Sequence, residues 1–171
     1  MSLKQAAREI ASEVGIDPDL FLRLVQAESS FDPDIVSEDG AVGLTQIMED
    51  TGNQPGYNIK PIEDRYNPIE NLRFGAEYYK AMKDKYGSDE FALMAYHAGP
   101  RNTDKIINKE KGLGPKTENY IEKILGESFD PSNKFGIRRI KVSTVNPKNP
   151  GALNDISSLD NYGSLTPELL A

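Results

Sequence analysis

Glu28 is the residue whose surroundings point most directly to chemistry. It follows Val25 by three residues, Leu24 by four and Phe21 by seven, which sets it on the apolar stripe of the helix those residues predict. It also falls in the last turn of that helix, where the dipole disfavours negative charge. Apolar neighbours and the dipole both favour the neutral acid, so its pKa is expected to be raised. A protonated carboxyl beside a long polar loop has the properties of a general acid for glycosidic cleavage. A solvated helix end has the same periodicity, and structural carboxylates outnumber catalytic ones. Periodicity alone leaves both readings open.

The composition narrows the alternatives. The 171 residues suffice for one compact domain and a tail. There is no cysteine, which removes disulfides, thiolate metal sites and cysteine nucleophiles. The single histidine, His97, rules out a multi-histidine metal site and leaves only one residue on which a Ser-His-Asp triad could be built. A net charge of -7 argues against nucleic acid as the main partner, since phosphate binding draws on clustered Lys and Arg. No apolar run is long enough for a membrane span. Catalysis therefore rests on carboxylates, tyrosines and amides.

The elements that would position Glu28 are helical. Leu3, Ala6, Ala7, Ile10, Ala11 and Val14 recur at helical spacing and Gly15 ends them. Asp17-Pro18 starts the helix that carries Glu28. Residues 31–68 are rich in Gly, Pro, Asn and Asp and read as a long loop region with short helical turns, a kind of segment that is usually functional. Asn67-Pro68-Ile69-Glu70 starts the next helix, with Glu70 at a capping-box position, and Gly87 ends it. Ser88 or Asp89 caps the apolar run Phe91 to Ala98, which Gly99-Pro100 ends. A weaker helix is expected from Asn102 to Lys109 and a last one from Thr117 to Leu125, stopped by Gly126. Beyond it, residues 127–171 read as an extended tail or linker, with a short strand expected where Ile140, Val142 and Thr144 alternate.

Four blocks give these elements a family likeness. Glu28-Ser29-Ser30-Phe31-Asp32-Pro33, then Ser37, then Gly40 to Met48, resemble the first signature of the soluble lytic transglycosylase family, which shares the goose-type lysozyme fold. Asn71 to Tyr79 resembles that family's next helix. Ala95-Tyr96-His97-Ala98-Gly99-Pro100 is similar to its Ala-Tyr-Asn-Ala-Gly turn. Thr117-Glu118-Asn119-Tyr120-Ile121 resembles its last motif. The blocks stand in family order over roughly residues 16–125, and order makes the signal strong where one block would be weak.

The resemblance implies a mainly α, lysozyme-like helical domain over residues 1–126. It implies cleavage of the bond between N-acetylmuramic acid and N-acetylglucosamine in peptidoglycan, with formation of 1,6-anhydro ends and without a metal or cofactor. It makes Glu28 the acid and base, and Ser37, Gln46, Tyr96, His97 and Tyr120 cleft residues that orient the sugar or Glu28. Each has a plain structural alternative: core aromatics for the tyrosines, backbone satisfaction for Ser37 and Gln46, a helix-end role for His97. His97 stands where the family usually has asparagine and is expected to be able to gain charge near neutral pH. Glu49-Asp50 stands where the family often has proline.

Two main rivals remain at this stage, with a chitin or chitosan hydrolase of related fold as a weaker third. One is a goose-type lysozyme that hydrolyses the same bond and draws a second carboxylate from Glu38, Asp39, Glu49, Asp50 or Asp64. The other is a structural or peptidoglycan-binding virion module without activity. The segment Pro55 to Pro61 resembles a stretch common in phage-encoded members. The N-terminus lacks the pattern of a signal peptide. Together these lead to the expectation of a virion-associated enzyme acting on the periplasmic cell wall, with the tail available to other virion proteins, or of a domain cut from a larger protein.

Overall fold

The structure, a computed structural model, describes residues 1–126. The tail from residue 127, with the strand expected around Val142, lies outside the described residues. Among them the chain forms α1 (Leu3–Val14), α2 (Pro18–Ser29), α3 (Glu49–Asn53), α4 (Pro68–Tyr86), α5 (Asp89–Ala98), α6 (Pro100–Ile107) and α7 (Pro115–Leu125). Two isolated antiparallel bridges, Val36 with Val42 and Val42 with Ile47, are the β-pairing of the described residues. The mainly α fold expected from the residues is the one observed.

The helix starts follow their capping chemistry. Asp17 accepts from the backbone N–H groups of Asp19 and Leu20, with Pro18 at the first helical position. Asn67 accepts from Ile69 and Glu70 in the same way. The capping box is only half built, because the Glu70 carboxylate accepts from the Asp64 N–H at 3.1 Å and so fastens the incoming loop. Ser88, not Asp89, caps α5. Helix α6 begins at Pro100, earlier than expected, and α7 begins at Pro115; in both, proline occupies the first helical position, where its missing N–H costs nothing.

Helix α5 is the centre of the core. Phe91 through Ala95 are buried, and α5 packs on α4, α6 and α7 while α1 packs on α2 and α4. Tyr79 of α4 donates to Asp89 at the start of α5. Helix α2 packs on α7, and the Arg23 side chain donates to the Ile124 carbonyl at 2.6 Å, satisfying the end of α7. This pairing brings the last turn of α2 beside Tyr120.

The 31–67 loop approaches α4 closely at Gly75. A Cβ added to Gly75 would stand 2.5 Å from the Thr45 hydroxyl oxygen. Gly75→Ala should therefore destabilise the fold by about 1–3 kcal/mol, the cost of overpacking. In an uncrowded helix interior the same change stabilises by up to ~1 kcal/mol. Denaturant unfolding of the variant distinguishes the two signs.

Candidate active site

Glu28 is the penultimate residue of α2, and the chain turns sharply behind it. Ser30 and Phe31 both take left-handed backbone angles, at φ 54° and 64°. The buried Ser29 hydroxyl holds this turn: it donates to the Leu44 carbonyl at 2.8 Å and accepts from the Phe31 N–H at 3.1 Å. The 31–67 loop is thereby pinned to the end of α2.

The Glu28 carboxylate is half-buried, and Tyr120 of α7 donates its hydroxyl proton to it at 2.5 Å. Burial raises the Glu28 pKa from 4.5 to about 7, against the opposing effect of the Tyr120 hydrogen bond. Burial, and then the facing Glu28 charge, raise the Tyr120 phenol well above its ordinary value, so it remains a donor. Tyr96 of α5 is raised in the same way, by burial first and Glu28 second. Its hydroxyl donates to the Thr45 carbonyl at 2.9 Å, which ties α5 to the loop.

His97 lies with its ring stacked on Tyr120, centroids 4.4 Å apart and planes 20° from parallel. Its expected gain of charge near neutral pH is disfavoured. Partial burial, and then Lys116 one turn before Tyr120 on α7, lower its pKa below the usual 6.5 and favour the neutral imidazole.

Glu28, Tyr96, His97 and Tyr120 are thus brought together. Ser37 and Gln46 serve the loop wall. The Ser37 hydroxyl accepts from the Ala41 N–H at 3.0 Å, and the Gln46 amide donates to the carbonyls of Gly43 (3.0 Å) and Ile35 (3.3 Å). These bonds run to backbone, not to Glu28.

Sequence reasoning assigned no role to three other residues. The buried Asn71 side chain holds the loop through Thr45, Val42 and Arg65. Tyr78 meets Tyr96 edge-on at 5.7 Å and Tyr57 at 6.4 Å, and it borders an open groove of about 410 Å³ lined also by Asp50, Thr51, Gln54 and Pro55. Met48, at the start of α3, is 41% exposed.

A model of the Transglycosylase SLT domain family matches residues 5–119. The chain belongs to the SLT transglycosylase family. Its relatives include the "Transglycosylase" of Enterobacteria phage PRD1, 32% identical over 115 residues, covering 67% of this chain and 38% of the phage protein. The "Membrane-bound lytic murein transglycosylase C" of Histophilus somni is 28% identical over 120 residues, covering 62% of this chain and 33% of that one. The chain thus spans only about a third to two fifths of the length of these relatives. Among solved structures, an inactive variant of lytic transglycosylase Slt from Pseudomonas aeruginosa superposes with a TM-score of 0.61 at 23% identity, over 71% of this chain and 22% of that chain. The 70 kDa soluble lytic transglycosylase of Escherichia coli gives 0.60 at 23% identity and the same coverage. These likenesses establish the SLT fold. The SLT domain here includes Glu28 and its neighbours, and among its described residues no helix is long and apolar enough to cross a membrane.

Proposed function

We propose that this SLT domain cleaves peptidoglycan glycan strands as a lytic transglycosylase with Glu28 as its only acid and base. The observation that carries the reading is the Glu28 carboxyl, half-buried, protonated to about pH 7 and held by Tyr120 at 2.5 Å. The groups set against it are phenols, Tyr120 and Tyr96. The acidic loop residues that a hydrolase would draw on, Glu38, Asp39, Glu49, Asp50 and Asp64, are all exposed. That arrangement supports a one-carboxylate mechanism.

In the proposed reaction, Glu28 gives its proton to the oxygen that joins C1 of N-acetylmuramic acid to N-acetylglucosamine. The C1–O bond breaks, and the sugar's own 2-acetamido group stabilises the developing cation, as in substrate-assisted hydrolases. The Glu28 carboxylate then takes the proton of the C6 hydroxyl, O6 bonds to C1, and a 1,6-anhydro ring closes. Glu28 ends protonated and no water is consumed. Tyr96 and the loop wall would hold the sugar and shield C1. Mass analysis of digested peptidoglycan tests this: anhydro ends are one water lighter than the reducing ends a hydrolase leaves. A folded protein that binds the glycan and releases nothing would instead be a binding module.

Tyr120→Phe removes the donor and keeps the ring. A hydrogen bond to a charged group contributes about 1.5–3 kcal/mol, so kcat/KM should fall roughly 10- to 100-fold. That bond stabilises the carboxylate, so its loss raises the Glu28 pKa further. The alkaline limb of the pH profile should move up, not down.

The likeness to the phage PRD1 protein supports a virion-associated role in opening the cell wall. The tail from residue 127 would then be free to contact other virion proteins. Detection of the protein in purified particles checks this.

A further inference from the structure

The stack of His97 on Tyr120 has no part in the chemistry above. Its ring lies nearly parallel to the one phenol that donates to Glu28, at a centroid distance of 4.4 Å. Tyr120 comes from α7 and His97 from the last turn of α5. The stack therefore joins two helices across the face where the acid, on α2, meets its donor. Tyr120 has two torsions to fix, and a hydroxyl that must stay within 2.5 Å of one carboxylate oxygen depends on both. A flat neighbour on the ring face limits the ring's tilt and its swing about χ1.

We propose that His97 is a positioning residue, whose imidazole, stacked on Tyr120, holds the phenol in register with the Glu28 carboxylate. The inference rests on the reading of Glu28 as the acid. It assigns to His97 a role exerted through Tyr120 and not through the sugar. Charge is not what acts. Lys116 on α7 faces His97 and favours the neutral ring, and the other titratable groups around the pair are Glu28 on α2, Tyr96 on α5 and Tyr79 on α4. Any flat ring at position 97 should therefore serve, whereas asparagine, which lacks a ring, should not.

The test is a titration of the Glu28 side-chain carboxyl by carbon-13 NMR, in the full chain without substrate, for the parent, His97→Asn and His97→Phe. An aromatic pair contributes about 0.5–1.5 kcal/mol, which bounds the Glu28 midpoint shift at roughly 1 pH unit. His97→Asn loosens the phenol, weakens its bond to the carboxylate and moves the midpoint up. His97→Phe keeps the stack and titrates as the parent does. A parent-like midpoint in His97→Asn would overturn the proposal, as would an equal shift in both variants, which would point to the imidazole's polarity. Amide spectra confirm that both variants are folded. The titration is read without turnover, so its outcome is separate from whether Glu28 is the acid. Kinetics give a second readout: His97→Asn should lower kcat about two- to tenfold with KM little changed. A rise in KM alone would make His97 a sugar contact and contradict the positioning role.

Discussion

Glu28→Gln is expected to reduce release of soluble muropeptides at least ~10³-fold, within the range that a positioned acid and base contributes. The amide keeps the size of the side chain and still accepts from Tyr120, but it has no proton to give. The same substitution should act on stability in the opposite direction. Glu28 has a folded pKa of about 7 against an ordinary 4.5. Between those values the native state binds more protons than the unfolded chain, so stability falls as pH rises. The contribution is fully present below about pH 4.5 and is lost as pH passes about 7. Its size is on the order of 3 kcal/mol. The variant lacks this titration. It should match the parent near pH 4 and exceed it in stability at pH 8, which paired denaturant melts at the two pH values would show. Stored instability at the acid is the expected mark of a site shaped for reaction.

Asn71→Ala is expected to destabilise the domain by about 3 kcal/mol or more. Asn71 is 1% exposed. Its carbonyl oxygen accepts from the Thr45 N–H and hydroxyl, both at 2.8 Å, and its amide donates to the carbonyls of Val42 (2.9 Å) and Arg65 (2.8 Å). Truncation strands groups on both sides of the loop, and a stranded buried group costs about 1–3 kcal/mol. The loss reaches the site, because Thr45 anchors the Tyr96 hydroxyl. Activity should fall with stability even at temperatures where the variant stays folded. Urea unfolding measures the first effect, and a loss under ~1 kcal/mol would show that the loop holds its shape without Asn71. Asn71→Asp keeps the acceptor but sets a buried carboxylate against the Val42 and Arg65 carbonyls, so it should cost at least as much as Asn71→Ala.

Local signals made much of this legible before any coordinates. Helix α2 is bounded by Asp17-Pro18 and the run Phe21, Leu24, Val25; its 3.6-residue period sets Glu28 on the apolar stripe, and the motif around it favours the acid over a solvated helix end. The starts of α6 and α7 were misplaced by one cause. Pro100 was read as the end of α5 alone, although it also opens α6, and Pro115 was not read as the start of α7. The interior of the 31–67 loop was not legible, because its shape is set by contacts such as Asn71 to Thr45, made across 26 residues by a side chain of another element. Ser37 and Gln46, expected in the cleft, make hydrogen bonds that complete that loop. The lowered pKa of His97 comes from desolvation first and from Lys116 second, both set by the packing around α7. Residue type shows that a histidine can titrate near neutrality; its neighbours in space decide whether it does.

The most direct measurement is digestion of purified peptidoglycan in oxygen-18 water by the parent and by Glu28→Gln, with products read by mass. The account predicts 1,6-anhydro ends without label from the parent and none from the variant. Labelled reducing ends from the parent, or equal release by the variant, would contradict it.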